Sequence, residues 1–237
     1  MPYLPGVSIV IPCLNEQRTI QKTVKLCVQV LESLGVAGEL IVADNDSRDS
    51  SSELAKGAGA QVVEVDIRGY GAALRSGIRA ARFEKVVFLD GDLSYPISEI
   101  PMLLQPLISG QADLVLGSRL KGSIQPGAMP FLNRYLGTPI LSFLIRLLFR
   151  IPVSDSNSGM RAISRDAFET LQLKCQGMEF ASEMLVRAAQ QKIRYTEVPI
   201  SFFRDQRNGS SHLNRWADGF RHLLFILRAF FRQEAFR

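Results

Sequence analysis

Histidine, cysteine and tryptophan are scarce, at two, three and one in 237 residues. Cys13, Cys27 and Cys175 form neither an even disulfide framework nor a metal-ligand spacing, and two histidines cannot make a zinc site alone. A reducing compartment follows. Also missing is an apolar run of the roughly 20 residues that a membrane span requires, because Arg146, Arg221 and Arg228 interrupt the stretches 139–149 and 220–231. Residues 1–6 lack the charged start of a secretory leader and the apolar stretch that follows stops at Pro12, so the expectation is a cytoplasmic chain. Repeats at solenoid periods are absent, and 18 Gly with 11 Pro lie far from collagen-like or low-complexity composition. What remains, 46% apolar and 22% charged, excludes disorder and suits one domain over 1–237.

The net charge of +5 is unevenly spread: residues 1–118 carry 10 Lys/Arg against 14 Asp/Glu, and 119–237 carry 18 against 9. An acidic half invites a cation and a basic half invites phosphates. Arginine outnumbers lysine 21 to 7, and planar guanidinium groups suit bidentate phosphate contacts. Their dispersal among aliphatic and aromatic residues favours an anionic membrane surface over nucleic acid.

Short β-branched runs bounded by turn residues predict strands at 7–11, 39–43, 61–65, 85–89 and 112–117. Helical patterns lie between them at 16–34, 50–57, 69–82 and 98–109. The alternation predicts an α/β fold with a doubly wound parallel sheet, whose ligands lie beyond the carboxyl ends of the strands. After residue 120 the rhythm changes to a Gly/Pro loop, an apolar helix ending at Phe149, and a polar turn at 155–159. A helix at 179–190, a strand at 193–200, a polar loop at 204–211 and a helix from Asn214 to the end complete the chain.

The sharpest motif is Phe88-Leu89-Asp90-Gly91-Asp92, two carboxylates directly after an apolar strand. Adjacent anions at a buried strand end are costly unless a cation or hydrogen-bond donors compensate them, and a hard divalent ion beside a substrate diphosphate would do so. Asn15 and Glu16 follow the first strand, and Asp44 and Asp46 follow the second. Asp44 or Asp46 could accept from a nucleobase or ribose, and Asn15, Asp49 or Ser50 could instead serve as helix caps. Arg68-Gly69-Tyr70-Gly71 is a short Gly-rich turn before a helix, open to a phosphate or base.

Taken in order, VSIVIPCLNE, IVADNDSRDSS, RGYGAALRSGI, VVFLDGDLSYP and DLVLGSR resemble the GT-A domain of family 2 glycosyltransferases. NRYLGTPILSFLIRLLF, SDSNSGMRAISRDAFETL, GMEFASEMLVRA and YTEVPISFFRDQRNGSSHL resemble the polyprenyl-phosphate (dolichyl-phosphate) sugar synthase branch. The resemblance implies a GT-A, Rossmann-like, mostly parallel sheet flanked by helices, with amphipathic helices towards the C-terminus. It implies a nucleoside-diphosphate sugar bound by residues 1–118 and an acceptor half at 119–237 with interfacial helices at 131–149 and 214–232.

By the same resemblance Asp90 and Asp92 hold Mg²⁺ or Mn²⁺. Pro12, Asn15, Glu16, Asp44, Asp46, Arg68, Gly69 and Gly91 belong to the donor pocket. Arg119 lies near the transferring phosphates, and Arg134 meets the membrane and lipid phosphate. Arg207, Ser211 and His212 belong to a basic loop over the site, and Arg161 follows a turn at the acceptor floor. Two positions depart from the family pattern: Ser94 stands where relatives often have Gln, and His212 where the loop usually has Lys.

Breaking a sugar C1–O bond to diphosphate develops negative charge on the leaving group, which a cation and Arg119 stabilise. A polyprenyl phosphate acceptor is already an anion and needs no general base, so inversion is expected. A hydroxyl acceptor would need one, for which Asp155 and Glu183 are the candidates. Glu183 has an alternative role, pairing with Arg161 or Arg187. Phe220, Leu223, Leu224, Leu227, Phe230 and Phe231 recur at helical spacing with Arg221, Arg228 and Arg232 among them, which suits a helix lying at a membrane interface or packed on its own domain. The expectation is a peripheral enzyme at the inner membrane face, set against a soluble-acceptor transferase or a non-catalytic binding module of the same fold.

Overall fold

The computed structural model describes residues 3–207 and 215–234. Its strands are β1 (Leu4–Cys13), β2 (Gly38–Asp44), β3 (Gln61–Glu64), β4 (Phe83–Phe88), β5 (Leu114–Ile124), β6 (Arg161–Ser164) and β7 (Tyr195–Phe202). Its helices are α1 (Ile20–Leu34), α2 (Ser51–Gly57), α3 (Tyr70–Ala80), α4 (Ile100–Ile108), α5 (Thr138–Phe149), α6 (Arg165–Leu171), α7 (Phe180–Gln190) and α8 (Arg215–Glu234). One seven-stranded sheet runs in the order β3-β2-β1-β4-β6-β5-β7. It is mostly parallel: β1 pairs in that sense with β2 and β4, β2 with β3, and β5 with β7. The exception is β6, which lies antiparallel to both neighbours, β4 and β5.

Strand alternation divides the apolar core between the two faces of the sheet. Ile9, Ile11, Val42 and Val87 pack with Ile20 and Val24 of α1 and with Leu103 and Leu104 of α4. Val10, Ile41, Val86 and Phe88 face the other way, against Leu74 and Ile78 of α3, Ile145 of α5 and Met184 and Leu185 of α7. This double cover explains why the central strands read as continuous apolar runs.

Several boundaries differ from the sequence expectation for local reasons. Helix α1 begins at Ile20 rather than at residue 16, because Asn15 adopts φ 55° and the Glu16 N–H is taken by Ser51 Oγ at 2.7 Å. Helix α6 escapes a periodicity reading because seven residues hold too few turns to show an apolar period. It is announced instead by its cap, Ser164, whose hydroxyl accepts from the Ala167 N–H at 3.3 Å.

The expected helix over 131–149 is present, with a π-helical stretch at Asn133–Gly137 leading into α5. Leu141, Ile145 and Phe149 point into the core, whereas Phe131, Leu132, Tyr135, Leu136, Ile140, Phe143 and Leu147 are exposed, Phe131 at 74%. Helix α8 packs beside it: Ile226 is buried and Phe230 meets Phe149 edge-on at 6.3 Å, while Phe220 and Phe231 remain exposed. Buried His222 anchors α8 to α7 through Ser182 Oγ at 2.8 Å, and burial pulls its imidazole down to about 4. Among the described residues no helix is long and apolar enough to cross a membrane.

Candidate active site

The carboxyl ends of β1, β2 and β4 open on one edge of the sheet, and the loops that leave them bring the acidic motifs together. Asp90 follows β4, and its Oδ1 accepts from the Tyr70 hydroxyl at 3.0 Å. Burial, and then the neighbouring Asp92 charge, raise the Asp90 carboxyl to about 6. Asp92 turns one oxygen back to the Ser94 N–H at 2.9 Å. Its other oxygen lies 3.1 Å from Arg207 Nη2. Gly91 is held by Thr23, whose hydroxyl donates to its carbonyl at 2.9 Å.

Arg207 also reaches Glu16, Nη1 to Oε1 at 3.1 Å, and Asp205 at 3.1 Å. One guanidinium therefore compensates Asp92 and Glu16 from opposite parts of the chain. Burial outweighs it at Glu16, whose carboxyl rises to about 7. Two close, partly desolvated carboxylates with a cationic side chain drawn against one of them form a donor set suited to a hard divalent cation. Asp90 and Asp92 are the residues that could hold it. No cluster of three or more His, Cys, Asp or Glu with metal-site geometry occurs among the described residues.

On the β2 side, Asp44 is buried and its Oδ1 has no hydrogen-bond partner among the described residues. A buried acceptor left open in this way suits a ligand donor group. Asn45, which the sequence reading passed over, organises the adjoining turn: its Nδ2 donates to the Ile67 carbonyl at 2.8 Å and its Oδ1 accepts from the Gly69 N–H at 2.6 Å. Asn15 ties two loops together, accepting from Arg48 N–H at 2.8 Å and donating through its own N–H to Ser47 Oγ at 3.0 Å, so it caps no helix. Pro12 is buried in β1. Asp46 and Arg68, expected to meet the donor, are exposed and form an ion pair with each other.

Arg119 and Asp155 were expected as separate agents and form one unit. The Arg119 Nε and Nη2 reach the two Asp155 oxygens at 2.8 and 2.7 Å, and its backbone N–H adds a third bond at 2.9 Å. Asp155 is completely buried and is not free to act as a base; it holds Arg119 in place. Although burial disfavours the Arg119 charge, Asp155 together with Tyr95 and Asp90 more than offsets it and raises the guanidinium further. Arg119 also stacks 5.0 Å from the Phe202 ring.

Arg161 requires a correction. Its guanidinium donates to the carbonyls of Ser158, Ala181 and Ser156 at 3.0, 2.9 and 2.8 Å and is 1% exposed, so it ties backbone segments together and faces no acceptor space. Glu183 pairs with neither Arg161 nor Arg187. It is buried and accepts from the backbone N–H groups of Lys174 and Cys175 at 3.0 and 2.7 Å. Ser94 is buried beneath Asp92. Arg134 lies on the exposed apolar helix with its guanidinium 5.3 Å from the Tyr135 ring. Ser211 and His212 lie outside the described residues.

The sequence profile of glycosyl transferase family 2 matches residues 8–172. The chain is 40% identical over 223 residues to the low-salt glycan biosynthesis hexosyltransferase Agl6 of Haloferax volcanii, a match covering 94% of this chain and 53% of that protein. It is 32% identical over 220 residues to the glycosyltransferase AglJ of the same organism, covering 92% of this chain and 70% of the relative. The chain thus spans about half the length of Agl6. Among solved structures, glucosyl-3-phosphoglycerate synthase from Mycobacterium tuberculosis, in complex with Mn²⁺, uridine-diphosphate-glucose and phosphoglyceric acid, superimposes with a TM-score of 0.76 at 23% identity. That match covers 95% of this chain and 79% of the other, and it shows the shared GT-A architecture.

Proposed function

The chain belongs to glycosyl transferase family 2, and from that premise we propose that it transfers a hexose from a nucleoside-diphosphate sugar to a polyprenyl phosphate at the cytoplasmic face of a membrane. The observation that carries this reading is the meeting of Asp90, Asp92, Glu16, Asp44 and two arginines, Arg119 and Arg207, around the same sheet edge. The hexosyltransferase name of Agl6 and the Mn²⁺ and uridine-diphosphate-glucose in the mycobacterial structure support it.

Asp90 and Asp92 would hold Mg²⁺ or Mn²⁺, which when bound supplies Lewis-acid stabilisation of the departing diphosphate. The open Asp44 Oδ1 receives a donor N–H or O–H from the nucleoside. Arg119 is preset by Asp155, and among the described residues no hydrogen bond reaches its Nη1, which is left for a phosphate oxygen. A donor already oriented this way stabilises developing charge without reorganising. Arg207 stands against Glu16 and Asp92, and its charge suits the incoming acceptor phosphate.

A phosphate acceptor suits the chain's own chemistry because both sequence-predicted bases are engaged, Asp155 by Arg119 and Glu183 by two backbone N–H groups. The acceptor oxyanion then attacks C1 opposite the diphosphate, with inversion. The exposed apolar row from Phe131 to Leu147, with Arg134 and Arg146 on the same helix, is a surface that a lipid interface would cover. These contacts support residues 119–237 as the acceptor half.

The test is incubation with a panel of radiolabelled nucleotide sugars, Mn²⁺ and a short prenyl phosphate, followed by organic extraction. Label entering the organic phase is the expected result. Transfer to water-soluble hydroxyl compounds alone would overturn the acceptor assignment, and metal-independent nucleotide binding without transfer would point to a non-catalytic module.

A further inference from the structure

We propose that the Tyr70 hydroxyl is a positioning group for Asp90, fixing its carboxylate so that Oδ2 is the oxygen available to a divalent cation. The inference rests on the reading of Asp90 and Asp92 as cation ligands and adds a residue that touches neither cation nor substrate.

Tyr70 opens α3 between two glycines that serve close packing. Gly69 sits at φ 137°, where a side chain is strained, and a Cβ there would strike the Gln176 carbonyl. A Cβ on Gly71 would lie 2.6 Å from the Cys175 carbonyl oxygen and 2.7 Å from Phe180 Cβ. The Ala72 N–H closes the same contact on Gln176 O at 3.1 Å. Both neighbours of Tyr70 are therefore pressed onto the segment before α7, so the ring leaves the backbone from a fixed point.

From there the hydroxyl donates to Asp90 Oδ1 at 3.0 Å. Asp90 is confined on its other side by Gly159. A Cβ on Gly159 would come within 2.6 Å of Asp90 Oδ2, so the carboxylate fills the space that any other residue would occupy. Gly159 is itself held by its N–H, which donates to the Tyr95 hydroxyl at 2.7 Å. With Oδ1 already accepting from Tyr70 and the plane limited by Gly159, Oδ2 is the oxygen that no hydrogen bond reaches among the described residues. Hydrogen bonds that orient a ligand commonly change metal affinity by about 10- to 100-fold.

Tyr70→Phe keeps the ring and removes only the hydroxyl. The experiment titrates Mn²⁺ alone into the native protein, Tyr70→Phe, Gly159→Ala and Asp92→Ala, counts free ion by electron paramagnetic resonance, and records Tm in EDTA. The expected result is a Kd for Mn²⁺ raised about tenfold in Tyr70→Phe with a near-native Tm in EDTA, and a comparable weakening in Gly159→Ala. If Tyr70→Phe fails to fold, uniform 3-fluorotyrosine labelling, which keeps the ring and alters the hydroxyl's donor strength, decides: a Kd for Mn²⁺ that does not move would overturn the proposal. Native Mn²⁺ affinity in the folded variant would overturn the proposal and leave Tyr70 a packing residue, while loss of binding in Asp92→Ala kept the cation reading intact. If the native protein binds no Mn²⁺, or Asp92→Ala binds it normally, the cation reading fails and this inference falls with it.

Discussion

Replacing Glu16 by Gln tests whether the site stores unfavourable electrostatic free energy in the empty protein. Burial is the largest influence on Glu16 and lifts its carboxyl from 4.5 to about 7, with Asp92 pushing the same way and Arg207 opposing. A carboxyl raised on folding favours the folded state fully below its unfolded value of 4.5, and that contribution is lost as pH climbs through about 7. At roughly 1.4 kcal/mol per pH unit the ionised group costs at most about 3.5 kcal/mol, and about 2 kcal/mol once solvent screening is allowed for. Glu16→Gln is neutral at every pH and nearly isosteric. In EDTA it is expected to match the native protein near pH 4.5 and to exceed it by about 2 kcal/mol at pH 8, or about 4 to 8 °C in Tm for a chain of this size. Urea denaturation and differential scanning fluorimetry across pH 4.5 to 8.5 would measure the gap. A variant less stable than native at pH 8 would refute the reasoning, because it would mean that the 3.1 Å contact with Arg207 outweighs the burial of Glu16.

Asp92→Ala is expected to lower turnover by about two to three orders of magnitude, the scale for losing preorganised charge stabilisation, and unchanged turnover in the radiolabel assay would remove Asp92 from the site. Arg161→Met strands three buried carbonyls and should cost about 3 kcal/mol or more in urea denaturation; a loss below about 1 kcal/mol would contradict its role as a backbone tie. Phe131→Glu with Phe143→Glu changes only exposed positions, so folding stability should hold while partition onto anionic liposomes falls about tenfold or more by flotation. Undiminished flotation would place the lipid contact elsewhere.

The strands that frame the site were legible because each couples a β-branched run to a turn, and Asp90 and Asp92 stood out because two acids directly follow such a run. Partnerships were not. Arg207 and Glu16 are 191 residues apart and Arg119 and Asp155 are 36 apart, and nothing local marks either pair. Arg161 misled for a related reason: an arginine after a polar glycine turn reads alike whether its donors meet a phosphate or, as here, three carbonyls. Tyr70 was hidden between two glycines that drew attention to a phosphate turn, whereas their packing against residues 175–177 sets the ring's direction. The exposed row on α5 was foreshadowed by its arginines, but only the fold separates the side chains that enter the core from those left outside.

The reversed strand β6 lies hydrogen-bonded between β4, from the first 118 residues, and β5, which crosses that boundary and whose residues paired with β6, Leu114 to Leu116, lie just before it. Because it runs opposite to β4, its start adjoins the other's finish, which is how Gly159 comes to face Asp90. The two stretches are thereby woven into a single plate instead of joined by a flexible neck. Opening and shutting by swinging one lobe about another would tear the middle of the sheet, so adaptation to cargo must be carried by peripheral segments while the acidic corner keeps its shape.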